Sequence, residues 1–395
     1  MNTDTIYNEH DFEVLLCKDK ECNFVAIALS PWHANGVDAT IEFLKDKGIK
    51  LKGYIVIGSH PTKGRFIDQT NFAVKSKDIK IISVDMTVRP WLNKIFTNSY
   101  ALLKLLFDKK HSTDRTIYIC NTCYPDFSWI YRLRRNKHIR INYIVMDEGI
   151  GAYYAQDRTD WVNTHLEEKG VSHKNLYLRF VYSALFSIRQ MPNKMMVNRL
   201  IKNGRLIDNQ LLAMNNGKLV ENRNISREYK KVFQCIDCEI SKNSIPSYAD
   251  AIVLNTSRLE ERDKAVLNYS RKIEESIIDY ANKKGIKTVI KPHPRETSFQ
   301  DYYNLGCFVD VDNKMSQETI VAKLEKKPSL FIALNSSTLI NIKTIFQIPT
   351  ISYAKILLKR NISEIEKDML RKFVDKFDGI VEFPESVEEL LNYIQ

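Results

Sequence analysis

Thr288-Val-Ile-Lys-Pro-His-Pro-Arg-Glu296 is the stretch that decides the fold. A short β-branched run breaks into a turn that carries Lys291, His293 and Arg295 around two prolines. Such a run reads as a buried parallel strand that delivers its next residues to the carboxyl edge of a sheet. That edge is where open α/β sheets bind ligands. Pro292 and Pro294 fix their own φ and push the residues before them toward extended conformations. His293 is therefore predicted to sit in a stiff loop with a cation on either side, a place that suits a phosphate. An isolated strand exit would look the same, so the rest of the chain has to decide.

Working outward, the same grammar recurs on both sides. Phe24-Val-Ala-Ile-Ala-Leu29 is a continuous apolar run, followed by Ser30-Pro-Trp-His33 and a helical pattern that Gly48 closes. Further strands are predicted at 53–58, 79–84, 116–120 and 141–146, with helical stretches near 91–109 and 129–135 between them. Beyond residue 250, strands at 251–254, 288–291, 307–311, 330–334, 350–353 and 380–383 alternate with helices, one of them stopped by Gly285. Strands alternating with helices predict parallel sheets covered on both faces. The expected architecture is α/β and GT-B-like, with two Rossmann-like parallel-sheet domains facing a central cleft. The first is expected over 1–249, including a basic helical segment at about 161–249, and the second over 250–395. No internal repeat or low-complexity tract is visible.

Composition narrows the class. The 395 residues, 44% hydrophobic and 27% charged, are those of a folded globular protein long enough for two domains. There is no basic start followed by an apolar core of a signal, and no apolar run of about 18 residues. A cytoplasmic location is expected. The formal net charge of +11 favours anionic partners; no nucleic-acid-binding module accompanies it. The run Leu176-Tyr-Leu-Arg-Phe-Val-Tyr-Ser-Ala-Leu-Phe-Ser-Ile188 is apolar with sparse cations. It fits either a helix packed on a sheet or one lying at the anionic face of a membrane. Seven cysteines include the pairs Cys120/Cys123 and Cys235/Cys238, too far apart for a zinc ribbon. Reduced thiols are the simpler expectation.

Two more loops follow predicted strands. Met146-Asp-Glu-Gly-Ile-Gly151 places Asp147 and Glu148 before two glycines, Gly149 and Gly151, whose backbone freedom lets a bulky substrate come close. A carboxylate there is a candidate general base. Asn335-Ser-Ser-Thr338 lies between a strand and a helix, where free N–H groups bind phosphate. Asp310-Val-Asp312 has the form of a metal motif, but no metal is expected at it or elsewhere.

Asp147-Glu-Gly149, His293-Pro294 and Ser336-Ser-Thr338, in that order, resemble the acid-acid-Gly, His-Pro and Ser-Ser/Thr motifs of the bacterial sialyltransferases, in particular glycosyltransferase family 52 and the polysialyltransferases. Ser30-Pro-Trp-His33 is similar to the start of these proteins, where a loop faces the cleft. The resemblance implies inverting, metal-independent transfer from CMP-sialic acid to a sugar hydroxyl of a capsule or lipooligosaccharide, with no cofactor. It implies Asp147 as the base with Glu148 orienting or sharing the role, and His293 binding or protonating the departing phosphate. Pro294, Lys291, Arg295, Asn335, Ser336, Ser337 and Thr338 would help to bind the donor, and His33, Gly149 and Gly151 the acceptor. Glu260 and Glu261 are rival bases, because some family 52 members carry theirs nearer the His-Pro motif. Transfer from CDP-glycerol or of Kdo is the nearest alternative, and a non-catalytic basic binding protein the more distant one.

Overall fold

The computed structural model describes residues 6–58, 71–73, 76–85, 115–121, 139–147, 166, 176–215, 218–235, 245–256, 263–292, 300–310 and 316–394. They form two compact units, Met1–Gln210 and Leu211–Gln395.

The first unit is built on a sheet of seven strands: β1 (Ile6–Asn8), β2 (Phe24–Ala28), β3 (Gly53–Gly58), β4 (Ile79–Asp85), β5 (Arg115–Asn121), β6 (Ile139–Met146) and β7 (Leu206–Asn209). Their spatial order is β1-β4-β3-β2-β5-β6-β7, and every neighbouring pair is parallel. Alternate side chains of a strand point to opposite faces, which gives the unit two cores. Val25, Ile27, Tyr54, Val56, Ile119 and Tyr143 pack with Phe12 and Leu16 of helix α1 (Glu9–Lys18). Phe24, Ala26, Ile55, Cys120 and Ile144 pack on the other face with Val37, Ile41 and Leu44 of α2 (Pro31–Asp46). Burial on both faces is why these strands read as unbroken apolar runs. Gly53 faces the carbonyl of Phe24 so closely that any Cβ would collide with it. Cys120 is one of the core residues, its thiol pushed up by burial.

The expected helical segment at 161–249 is more varied than its pattern implied. Helix α3 (Leu176–Lys202) is succeeded by β7, which joins the edge of the first sheet beside β6. The division into compact units then falls at Gln210/Leu211, earlier than the 249/250 boundary expected. A hairpin of β8 (Leu212–Asn215) and β9 (Lys218–Glu221) and helix α4 (Arg223–Cys235) belong to the second unit. Ile225, Tyr229, Val232 and Phe233 form the buried face of α4.

After the short helix α5 (Ile245–Tyr248) comes the second sheet: β10 (Ile252–Asn255), β11 (Thr288–Lys291), β12 (Phe308–Val309), β13 (Leu330–Ala333) and β14 (Thr350–Ser352). Its order is β12-β11-β10-β13-β14, again all parallel. Helices α6 (Lys264–Lys283), α7 (Gln317–Lys323), α8 (Ser337–Phe346), α9 (Ala354–Leu358), α10 (Glu364–Phe377) and α11 (Val387–Asn392) complete the unit. Contacts of α4 with α7 and α8, and of β9 with α10, tie the segment after Leu211 to this sheet. Gly48 and Gly285 end their helices with φ of 74° and 69°, conformations that glycine adopts freely. The strand expected at 380–383 is reduced to single bridges, Ile351 with Glu382 and Asp378 with Val381.

The order β4-β3-β2-β5-β6 of the first unit repeats as β12-β11-β10-β13-β14 in the second. Each is a doubly wound, Rossmann-like sheet whose order reverses at one point, between β2 and β5 and between β10 and β13. Ligands of such sheets bind at the carboxyl ends of the strands around that reversal; of the described candidate residues, His33 follows β2, Asp147 follows β6 and Asn335–Thr338 follow β13.

Candidate active site

In the first unit, Ser30 caps α2 by accepting a hydrogen bond from the His33 N–H at 3.2 Å, and Pro31 occupies the first turn. This start, directly after β2, throws Trp32 across the carboxyl edge of the sheet. Its indole Nε1–H donates to Asp147 Oδ1 at 3.1 Å. Asp147 follows β6 and is fully buried. Trp32 belongs to the first turn of α2, so this bond sets Asp147 beside the amino end of the helix.

Asp208, on β7 beside the end of β6, is a second acid that the sequence did not single out. Its carboxyl is pushed up by the density of protein around it, although its surface stays open to solvent, and further by the charge of Asp147. The strand register sets Asp208 opposite Val145, two residues before Asp147. Two acids of opposite exposure thus share one edge.

His33 is buried, and its Nδ1 accepts from the Leu29 N–H at 3.2 Å. The ring can therefore present only its Nε2–H to a ligand. Burial lowers its pKa from 6.5 to about 4. The neutral ring is the one the fold requires, so stability is full above about pH 6.5 and falls as pH drops toward 4. Urea unfolding is expected to show a loss of about 2 kcal/mol between about pH 7 and pH 5 from this group. His33→Asn, whose Oδ1 still accepts from Leu29, should remove that part of the slope. An unchanged slope in the variant would refute the assignment.

In the second unit, β11 ends at Lys291, where the sequence predicts the strand to end, and Pro292 is the last described residue of this stretch. His293, Pro294 and Arg295 lie outside the described residues, as do Glu148, Gly149, Gly151, Glu260 and Glu261. Lys291, expected among the donor-binding residues, forms an ion pair. It is buried, and its Nζ lies 3.1 Å from Asp310 Oδ2, which also accepts from the Tyr248 hydroxyl at 2.7 Å. Burial, and then the Asp310 charge, push the Tyr248 phenol far above its usual range. Asp310, at the end of β12, is thus committed to this ion pair; Asp312 lies outside the described residues. Among the described residues, no group of three or more His, Cys, Asp or Glu is arranged to hold a metal.

Asn335, Ser336, Ser337 and Thr338 stand together, half-buried, between β13 and α8. Ser336 is the N-cap, in extended conformation, its Oγ accepting from the Thr338 N–H at 3.3 Å. The cap aims the first N–H groups of a ten-residue helix at the carboxyl edge, the arrangement that receives a phosphate. Beneath it lies a polar layer. Gln317 Nε2 donates to Asn255 Oδ1 at 2.6 Å, and Asn341 Nδ2 to Glu318 Oε1 at 2.8 Å. All four side chains are buried, and such satisfied networks hold neighbouring elements in one arrangement.

A family model described as Alpha-2,8-polysialyltransferase (POLYST) matches residues 24–355. No curated protein sequence matches the chain. Among solved structures, an α/β-galactoside α-2,3-sialyltransferase of Photobacterium phosphoreum is 13% identical over 92% of this chain and 97% of that chain, with a TM-score of 0.42. A sialyltransferase of Photobacterium damselae is 11% identical over 91% and 97%, with a TM-score of 0.38. A putative UDP-N-acetylglucosamine 2-epimerase of Listeria monocytogenes is 9% identical over 94% and 86%, with a TM-score of 0.43.

Proposed function

Because this chain belongs to the alpha-2,8-polysialyltransferase family, and is a glycosyltransferase on that ground, we propose that it moves sialic acid from CMP-sialic acid to a hydroxyl of a bacterial surface glycan. The family's description points to an acceptor that itself ends in sialic acid. A donor and an acceptor that are both anionic suit a protein with a net charge of +11.

The observation that carries the reading is the buried Asp147 gripped by the Trp32 indole at the carboxyl edge of a Rossmann-like sheet. In the proposed reaction Asp147 takes the proton of the acceptor hydroxyl, and the oxygen bonds to the anomeric carbon of sialic acid. The bond from that carbon to the phosphate oxygen breaks, and CMP leaves with the electron pair. Attack opposite the leaving group inverts the configuration, and no metal is required. The N–H groups of Ser336 and Ser337 and the hydroxyls of Ser336, Ser337 and Thr338 hydrogen-bond the phosphate as its charge grows, and His293 donates to it or protonates it. Fixed donors aimed at a developing charge lower the barrier more than any other single effect in many active sites. Trp32 acts through Asp147, holding the carboxylate in place.

A donor panel tests the reading. CMP and CMP-sialic acid are expected to raise the melting temperature, as any ligand selective for the native state does. UDP- and GDP-sugars should not. A shift with CDP-glycerol but not with CMP would favour the teichoic-acid type of reaction instead.

A further inference from the structure

We propose that Asn255 is a further donor-binding residue, whose side-chain Nδ2–H donates to the phosphate of the nucleotide. This rests on the reading of the second unit as the site of a cytidine monophosphate donor. Strand β10 is central in its sheet, between β11, whose end leads to His293, and β13, which leads to Ser336–Thr338. A phosphate shared by those two stretches lies over the carboxyl end of β10. Asn255 is the last residue of that strand, in register with Lys291 on one side and Ala333 on the other. The three residues before it, Ile252-Val-Leu254, are apolar and buried. Asparagine is depleted in strands, so one that closes such a strand has a task other than packing.

Its neighbours fix which way the carboxamide is presented. The Asp310 carboxylate, paired with Lys291, can only accept, so the Tyr248 hydroxyl donates to it. The Tyr248 oxygen is left to accept, and the Gln317 side chain donates to it. Gln317 thus presents its amide nitrogen on this side, and the same Nε2 donates to Asn255 Oδ1 at 2.6 Å. With its oxygen held, Asn255 has only Nδ2–H to offer, and among the described residues this group has no partner. The residue is 6% exposed. A donor so enclosed calls for an acceptor, and the oxygens of a nucleotide phosphate supply charged ones.

Calorimetric binding of CMP and of cytidine to the full chain tests the proposal, because only CMP carries the phosphate. Asn255→Asp keeps an oxygen for Gln317 and sets a carboxylate oxygen where the amide was. Asn255→Ser removes the amide without adding charge. Both variants are expected to lower CMP affinity by at least about tenfold, the worth of a hydrogen bond to a charged group. The aspartate should cost more than the serine, and cytidine affinity should stay unchanged in both. Equal losses for CMP and cytidine would assign the amide to the nucleoside or to packing and overturn the proposal. Wild-type CMP affinity in either variant would overturn it too, while leaving the donor reading intact. Wild type that binds neither ligand would overturn the donor reading, and the proposal with it.

Discussion

Asp147→Asn is expected to lower transfer by about 10²–10⁴-fold, the usual contribution of a positioned general base. Asparagine is nearly isosteric and keeps an oxygen for the Trp32 indole, so the hydrogen bond at the edge of the first sheet survives. What is lost is the capacity to take a proton. Stability should not fall, because the substitution removes a buried charge next to Asp208, whose own carboxyl that charge pushes up. The readout is sialic acid incorporated per enzyme, with the melting temperature as control. Asp208→Asn separates the two acids: a modest change leaves Asp147 as the base, whereas loss of transfer in Asp208→Asn with a near-normal rate in Asp147→Asn would exchange their roles. Wild-type turnover in both would exclude this edge from the chemistry.

Lys291→Met is expected to act on stability. Removing one partner of a buried ion pair strands the other charge, at a cost of about 3–5 kcal/mol. Asp310 would lose its cation and keep the bond from the Tyr248 hydroxyl. For a unit of this size that is a fall in melting temperature of about 10 °C. Lys291→Met/Asp310→Asn should recover much of the loss, because asparagine removes the stranded charge and keeps an oxygen for the Tyr248 hydroxyl. If Lys291 instead gripped the donor phosphate, the single substitution would weaken CMP binding by about tenfold or more with little change in melting. That outcome would return Lys291 to the donor-binding residues.

The parts of the fold legible in the sequence are those that local rules govern. Phe24–Ala28 and Leu330–Ala333 read as strands because burial on both faces leaves no polar position in either. Ser30 with Pro31, and Ser336, announce helix starts, and the structure uses both serines as caps. The features hidden from a sequence reading depend on distant partners. Strand β7 has two apolar residues and then Asp208 and Asn209, too little pattern to read, and exists because β6 offers it a ladder. The segment from Leu211 reads as part of the first domain because no Gly- or Pro-rich linker marks the change; packing of α4 on α7 and α8 decides otherwise. Lys291 reads as an available cation until β12 brings Asp310 beside it. Trp32 and Asp147 are 115 positions apart, and only the sheet reveals that one holds the other.

Donor identity is the most direct test of the proposed chemistry. Purified enzyme, CMP-sialic acid and a sialylated acceptor should be combined in the presence of EDTA, and CMP release followed together with extension of the acceptor. The expected result is one CMP released for each sialic acid transferred, undiminished by the chelator and inverted at the anomeric centre. Transfer from a uridine or guanosine sugar instead, or transfer that the chelator abolishes, would contradict it.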